Sequence, residues 1–182
     1  MILIRALTGY DMPKAMELKV QCWTEELAGH SENTLSLDEE LAFWLEWMKS
    51  AKENNDVRML IGAFENEYML GAAFASCAEI GDIPARGIEL NGLWVHPDHR
   101  GRGVSLRLVL HVLQFYLLMG MERIVVYNHH FAPSNSFYHK FGAQVARQDH
   151  QMDGKLLVDV FMAEISDMKE RMEQSLSGLN SL

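Results

Sequence analysis

The feature that most restricts the fold of this chain is a loop with two glycines, placed between a strand-like apolar stretch and a long helix-like one. Residues 88–95 form the first stretch, and apolar side chains from Val104 to Met119 recur at helical spacing on two stripes. Gly101 and Gly103 allow the backbone to turn tightly between the two. A strand that passes through a tight loop into a helix buried on two sides predicts a sheet covered by helices.

The rest of the chain alternates in the same way. Its apolar patterns predict strands at residues 2–7, 58–64, 68–77, 88–95, 123–127 and 156–164, with a further short strand near 143–147. Helices are predicted to begin at Asp11, behind a capping box at 36–39, at Val104 and at Ser134, and a loop is predicted at 81–87. This order predicts an α/β or α+β fold, with a central, twisted, mixed sheet flanked by helices. Residues 1–164 are predicted to form one domain and residues 165–182 an amphipathic C-terminal helix or tail.

Composition and charge exclude several classes of protein. Apolar residues make up 48% of the 182 residues, which predicts a globular protein with a core. The formal net charge of −9 argues against nucleic-acid binding. No apolar run is long enough to span a bilayer and the first residues lack the layout of a signal peptide, so a cytoplasmic protein with no membrane partner is expected. Cys22 and Cys77 predict reduced thiols, and no metal site is predicted, because His129 and His130 are neighbours on a strand and point to opposite faces.

The loop at 96–105 also has the properties of an anion-binding site. The first N–H groups of a helix lack partners within it and lie at its positive end, where they bind phosphate. Arg100, Arg102 and Arg107 add positive charge in an otherwise acidic chain. A P-loop is excluded because Gly-Lys-Ser/Thr is missing, and Leu106 occupies the third glycine position of a dinucleotide fingerprint. The loop therefore predicts a pyrophosphate site of another type, with an ordinary surface turn as the alternative.

Two motifs, Arg-Gly-Arg-Gly-Val-Ser at residues 100–105 and the segment at residues 134–142, resemble those of one enzyme family, the GNAT superfamily of N-acetyltransferases. Arg100, Gly103 and Ser105 match its acetyl-CoA signature, Arg-x-x-Gly-x-Gly/Ala, with a serine in place of the small final residue. Residues 89–97 resemble the strand that precedes this signature. Residues 134–142, Ser-Asn-Ser-Phe-Tyr-His-Lys-Phe-Gly, resemble the second block of the family. The resemblance is strong over residues 89–143 and implies a GNAT-like sheet with splayed strands at the coenzyme site.

This resemblance implies that acetyl-CoA is the co-substrate. Family members lay the pantetheine arm between two splayed strands, against the backbone of the first. The residues implied to contact the coenzyme are Leu93, Trp94 and Val95 for the pantetheine arm, and Arg100, Gly101, Arg102, Gly103, Val104 and Ser105 for the phosphates. Phe131 stands where the family often has an asparagine, so Asn128 or Asn135 is expected to take that role. Gly92 fits either a β-bulge that separates the strands or a glycine required for packing.

The resemblance also implies two catalytic residues. Glu89 occupies a strand position at which many family members carry the general base, and Tyr138 matches the tyrosine that often protonates the leaving thiolate. The alternatives are an exposed strand carboxylate for Glu89 and a core aromatic for Tyr138. Phe137 and Phe141 are the more obvious core residues of that short helix.

The identity of the acceptor is left open by the sequence. A primary amine of a small molecule is the first hypothesis, a protein N-terminus or lysine is the second, and a non-catalytic acyl-CoA-binding module is the third. Trp23, Trp44 and Trp47 are candidates for the wall of a substrate pocket, but helical spacing favours core positions for Trp23 and Trp44. The tail is predicted to pack either on its own subunit or on a second copy, in a homodimer.

Overall fold

The computed structural model describes residues 1–78 and 86–179, so most of the loop predicted at 81–87 lies outside the described residues. Within them the strands are β1 (Leu3–Ala6), β2 (Met59–Glu65), β3 (Tyr68–Cys77), β4 (Gly87–Val95), β5 (Arg123–His129), β6 (Gln144–Gln151) and β7 (Leu156–Glu164). The helices are α1 (Met12–Leu27), α2 (Leu37–Lys49), α3 (Val104–Leu118), α4 (Asn135–Lys140) and α5 (Ile165–Leu179), and a 3-10 turn covers Pro97–His99.

The strands form one mixed sheet in the order β1-β2-β3-β4-β5-β7-β6. β4 and β5 pair in parallel, whereas β1 with β2, β2 with β3, β5 with β7 and β6 with β7 pair antiparallel. The predicted fold class and the predicted order of elements are confirmed. The short strand predicted near 143–147 exists as β6 but continues to Gln151, and β5 extends two residues beyond its predicted end.

Local signals in the sequence determine where the helices begin and end. Ser36 accepts a hydrogen bond from the Glu39 backbone N–H at the start of α2, as expected from the capping box. Gly29, Gly120 and Gly142 follow α1, α3 and α4 with φ angles of +82°, +79° and +90°. Glycine adopts this left-handed conformation without a steric penalty, and the predicted stop signals are therefore confirmed.

The described chain divides into two compact units, of which the first comprises residues 1–75 and 92–109. Its core holds Trp44, whose ring lies 5.0 Å from that of Phe74 and 6.3 Å from that of Trp94, and Trp23 packs partly buried against the same cluster. Trp94 folds back over Gly92, where an added Cβ would lie 2.3 Å from the indole. Close packing therefore accounts for this glycine. The core position predicted for Trp44 is confirmed, whereas Trp23 lies at the edge of the core.

A buried ion pair lies inside this aromatic core. The Lys19 ammonium, on a side chain only 9% exposed, lies 2.5 Å from a carboxylate oxygen of Glu40. The rings of Trp23, Trp44 and Trp94 surround the ammonium at 5.1 to 5.6 Å, within the range of cation–π attraction. The Trp44 indole N–H donates to the same carboxylate oxygen at 2.9 Å. The pair therefore connects α1 to α2 without leaving either charge unpaired.

The second unit comprises residues 76–91 and 110–182. Ile165, Met168 and Met172 of α5 are buried, and α5 packs against β7, so the tail packs on its own chain. α3 is less buried than predicted: its first three turns are covered, but Phe115 and Leu117 are more than a third exposed. The two apolar stripes correctly predicted the helix and overestimated the burial of its last turn. No helix among the described residues has the length and apolar character required to cross a bilayer.

Removing one charge of the Lys19–Glu40 pair should destabilise the protein strongly. Glu40→Leu leaves a buried ammonium without its carboxylate, which costs about 3–5 kcal/mol. The double variant Lys19→Met/Glu40→Leu removes both charges and should regain most of that loss. Urea denaturation of the three proteins measures the difference, and equal stability of the single and double variants would contradict this role of the pair.

Candidate functional site

The glycine loop of the first unit has the backbone geometry that its sequence predicts. After the turn at Pro97–His99, Gly101 and Gly103 adopt φ angles of +76° and +75°, and α3 begins at Val104. Ser105 lies half-buried in the first turn of this helix. Because the first backbone N–H groups of a helix have no partners within it, this turn can bind an anion.

Arg100 attaches the loop to two neighbouring elements. Its Nε donates to the backbone carbonyl of Val95 at 3.3 Å, and its Nη2 donates to Glu25 of α1 at 2.7 Å. The Cys22 thiol lies beneath it, 3.5 Å from the same Val95 carbonyl, and burial raises the pKa of this thiol. The guanidinium of Arg100 thus fixes the end of β4 against α1.

Arg102 lies on the outer side of the loop. Its Nη2 donates to both carboxylate oxygens of Glu65 at 3.2 Å, and its Nη1 lies 2.7 Å from Nδ1 of His99. The arginine holds the pKa of the Glu65 carboxyl below its usual range. Its side chain is 43% exposed, so a ligand in solvent can reach it. Neither Glu25 nor Glu65 was identified from the sequence as a partner of the loop.

The strand segment predicted to hold the pantetheine arm is largely buried. Trp94 and Val95 are buried and Leu93 is half-buried. The strand ends beside β3, where the His96 N–H donates to the Leu70 carbonyl at 2.9 Å. The predicted residues from Leu93 to Ser105 are thus brought together as one strand, turn and helix start.

In the second unit, Glu89 stands at the end of the β4–β5 ladder. This ladder runs from Gly87 opposite Arg123 to Glu89 opposite Val125, and β5 pairs with β7 as far as His129. Ladder pairing with β5 therefore stops at Glu89 although both strands continue, as expected of strands that splay apart.

Asn128 and Asn135, the two candidates for the asparagine role, lie in direct contact. The Asn128 amide donates to Asn135 Oδ1 at 2.6 Å and to Ser134 Oγ at 2.9 Å. The Asn135 amide donates in turn to the carbonyls of His129 and His130, both at 3.0 Å. Both ends of the Asn135 amide are thus bonded, and this network ties the start of α4 to the end of β5.

Tyr138 is more deeply buried than its sequence suggested. It is 4% exposed and its ring lies 5.4 Å from that of Phe161, whereas Phe137 is only half-buried. The expectation that Phe137 rather than Tyr138 fills the core was therefore wrong, although Phe141 is buried as expected. The reason is that the side of α4 that carries Tyr138 faces the core, as does Phe141 directly after the helix.

A buried carboxylate that sequence reasoning missed lies on β7. Asp159 accepts hydrogen bonds from Gln148 at 2.8 Å and from Nδ1 of His130 at 3.0 Å. Burial acts to raise the pKa of Asp159, but these two bonds outweigh it and hold the pKa below its ordinary value. In the sequence, Asp159 is the single charged residue within the apolar run at residues 156–163 of β7. His129 is buried while the neighbouring His130 is exposed, which confirms that they point to opposite faces.

Comparison with known families assigns the chain to one of them. The sequence model described as "Acetyltransferase (GNAT) family" matches residues 13–143, most of the chain. The chain belongs to the GNAT family of acetyltransferases. The glycine loop and the short helix α4, the two segments that suggested this family from sequence, both lie within the matched region.

Solved structures show the same fold at low sequence identity. The PaiA N-acetyltransferase of Thermoplasma acidophilum, solved with coenzyme A, is 20% identical and has a TM-score of 0.70, covering 90% of this chain and 99% of its own. YncA of Salmonella typhimurium, solved with its cofactor acetyl-CoA, is 20% identical and has a TM-score of 0.65, covering 90% and 94%. A spermidine N-acetyltransferase SpeG chimera from Vibrio cholerae and hSSAT is 18% identical and has a TM-score of 0.63, covering 92% and 97%. No curated protein matched the sequence.

Asp159 should stabilise the GNAT fold of this chain only while it is ionised. Because its folded pKa is depressed, its contribution is complete above the unfolded value near 4 and is lost as the pH falls through the folded pKa. Asp159→Asn should cost about 1–3 kcal/mol at pH 7 and less at pH 3. Urea denaturation at both pH values measures this. Asp149→Asn is the control, because it alters a partly exposed ion pair with Arg147 and should cost under about 1 kcal/mol at either pH. A loss of stability in Asp159→Asn that does not depend on pH would contradict the role of ionised Asp159.

Proposed function

We propose that this protein transfers the acetyl group of acetyl-CoA to the primary amine of a small molecule. The observation that carries the proposal is the loop at the end of β4, where two glycines with positive φ lead directly into the first turn of α3. Membership of an acetyltransferase family and two structural neighbours solved with coenzyme A or acetyl-CoA support it. A primary amine is the simplest acceptor for such an enzyme, and one neighbour is named for spermidine.

The coenzyme phosphates are assigned to the backbone N–H groups between Gly101 and Ser105. Arg100 and Arg102 are both assigned supporting parts, because their guanidinium groups are already bonded to Glu25 and Glu65. The pantetheine arm is assigned to the β4 backbone from Leu93 to Val95, since a splayed strand has edge groups that no ladder uses.

Asn128 is preferred over Asn135 for the remaining contact to the coenzyme. The Asn135 amide is bonded at both ends. Within the described chain the Asn128 amide donates to two neighbours, while its own carbonyl oxygen accepts no hydrogen bond. That oxygen can accept from an amide N–H of the pantetheine arm.

The proposed reaction is direct attack by the amine. Glu89 accepts a proton from the acceptor ammonium, and the freed nitrogen lone pair forms a bond to the thioester carbonyl carbon. The carbon–sulfur bond breaks with its electron pair, and the leaving thiolate takes the Tyr138 hydroxyl proton, which the proton released from the amine then replaces through solvent. Ammonium and acetyl-CoA thus give the amide, the thiol of coenzyme A and one proton.

Gly101→Ala tests the assignment of the phosphates to the loop. Nothing lies within 4 Å of a Cβ added at Gly101, so its cost is the left-handed φ alone, about 1–2 kcal/mol. Any shift of the loop misdirects the N–H groups, and the Kd of coenzyme A should rise at least about tenfold. Isothermal titration calorimetry measures this. Gly29→Ala has the same φ strain and the same free space at the end of α1, so it should lower stability without changing the Kd. An equal Kd in both variants would contradict the assignment.

Glu89→Gln tests the proposed base. The change keeps the shape of the side chain and removes the proton acceptor, so coenzyme binding should persist while turnover falls roughly 10²–10⁴-fold near neutral pH. The loss should shrink as the pH rises, because the amine then arrives already deprotonated. Tyr138→Phe should also spare coenzyme binding and lower turnover, but without recovery at high pH. Measuring turnover against pH with one good acceptor tests both residues. Wild-type activity of Glu89→Gln at neutral pH would refute the role of Glu89 as the general base.

A further inference from the structure

One buried polar atom of β4 has no partner. Within residues 1–78 and 86–179, the side-chain carbonyl oxygen Oδ1 of Asn91 is buried and accepts no hydrogen bond. Such atoms are rare in native proteins because each loses its hydrogen bonds to water without replacement. Asparagine is also a poor strand former, so local conformation gives no reason for its presence here. An unsatisfied acceptor inside a strand of an enzyme therefore calls for a ligand.

The position of Asn91 identifies that ligand. Ile88 and Leu90 are fully buried, whereas Glu89 and Asn91 are half-buried, so strand alternation places the latter two on the same face of β4. Their Cα atoms are about 7 Å apart at the usual rise of a strand. The β4–β5 ladder has its last pair at Glu89, so Asn91 lies just beyond the end of the ladder.

We propose that Asn91 binds the acceptor nitrogen, with its side-chain oxygen accepting one N–H while Glu89 takes the proton of another. The inference rests on the proposed function, because it requires an amine at Glu89. An ammonium has three N–H groups, so it can bond to both side chains at once. A neutral amide oxygen binds an N–H without taking its proton, so the transferred proton goes to Glu89 alone. After deprotonation, the remaining bond to Asn91 restricts the direction of the nitrogen lone pair.

Because Asn91 Oδ1 has no hydrogen-bond partner, replacing Asn91 should change activity and stability in opposite directions. Asn91→Leu keeps a similar volume and replaces an unsatisfied polar group with an apolar one, which should raise the melting temperature by about 2–6 °C. The same change removes the bond to the acceptor and should lower kcat/KM for the amine about 10–100-fold. The Kd of coenzyme A should stay within about twofold, since the glycine loop is untouched.

Asn33→Leu is the matched control for stability. Its amide donates to the Val20 carbonyl and to Thr24 Oγ1, and its own oxygen accepts from the Leu35 N–H. Removing an asparagine whose amide is bonded at both ends should lower the melting temperature, opposite to the result expected for Asn91→Leu. If leucine at position 91 prevents folding, Asn91→Ala provides the same comparison of kcat/KM with coenzyme affinity.

The experiment separates failure of this inference from failure of the proposed function. Wild-type protein that neither binds coenzyme A nor acetylates any amine contradicts the proposed function. Active wild-type protein with unchanged kcat/KM in Asn91→Leu or Asn91→Ala overturns the inference alone. A folded Asn91→Leu variant with a lower melting temperature, or a parallel loss of coenzyme affinity in either variant, also overturns it, since Asn91 would then be a structural residue. Lower kcat/KM with unchanged coenzyme affinity is the result that supports it.

Discussion

The early end of the β4–β5 ladder is the constraint on which the proposed chemistry depends. Two strands that run side by side normally continue to pair, because unpaired backbone groups in a sheet are costly. Here the parallel ladder ends at Glu89, while β5 continues to pair with β7 through His129. The β4 edge beyond Glu89 is therefore left for another partner, and the pantetheine amides of acetyl-CoA are chemically suited to it. Glu89 and Asn91 lie on either side of this transition.

Carboxylates of the protein hold the positive charge of the loop before any coenzyme arrives. The chain carries a net charge of −9, yet its loop contains two arginines close together. Glu25 and Glu65 bind Arg100 and Arg102 respectively, from α1 and from the end of β2. In the proposed coenzyme site, such pairs hold both guanidinium groups beside the loop before a phosphate binds. The acidic side chains of the chain and its basic loop thus contact each other directly.

Most of the fold was predictable because its signals are local. Gly29, Gly120 and Gly142 ended helices where expected, Ser36 began one, and the loop with Gly101 and Gly103 had its predicted conformation. The partly exposed end of α3 was not predictable, since apolar periodicity shows which faces are apolar but not where the neighbouring elements stop. The longer β6 was also missed, because its polar sequence carries no strand period.

Only the part of the candidate site that consists of consecutive residues was predictable from the sequence. The motif predicted the residues from Leu93 to Ser105 as a group, but it could not show that Arg100 reaches Glu25, about seventy-five positions away. Asp159 was visible as a lone charge in an apolar run, but its partners could not be read from the sequence, and neither could the pairing of Lys19 with Glu40. The unsatisfied oxygen of Asn91 appears only once all neighbours are in place.

The most direct test of the central claim is amine-dependent release of coenzyme A from acetyl-CoA by the wild-type protein. A panel should contain small primary amines, a peptide with a free N-terminus and a lysine peptide, with thiol release and the acetylated product both measured. We expect release to require an acceptor, product and thiol to form in equal amounts, and at least one small primary amine to be acetylated. Binding of acetyl-CoA with no acceptor-dependent release across the panel would contradict acetyl transfer by this protein and would favour a non-catalytic acyl-CoA-binding protein.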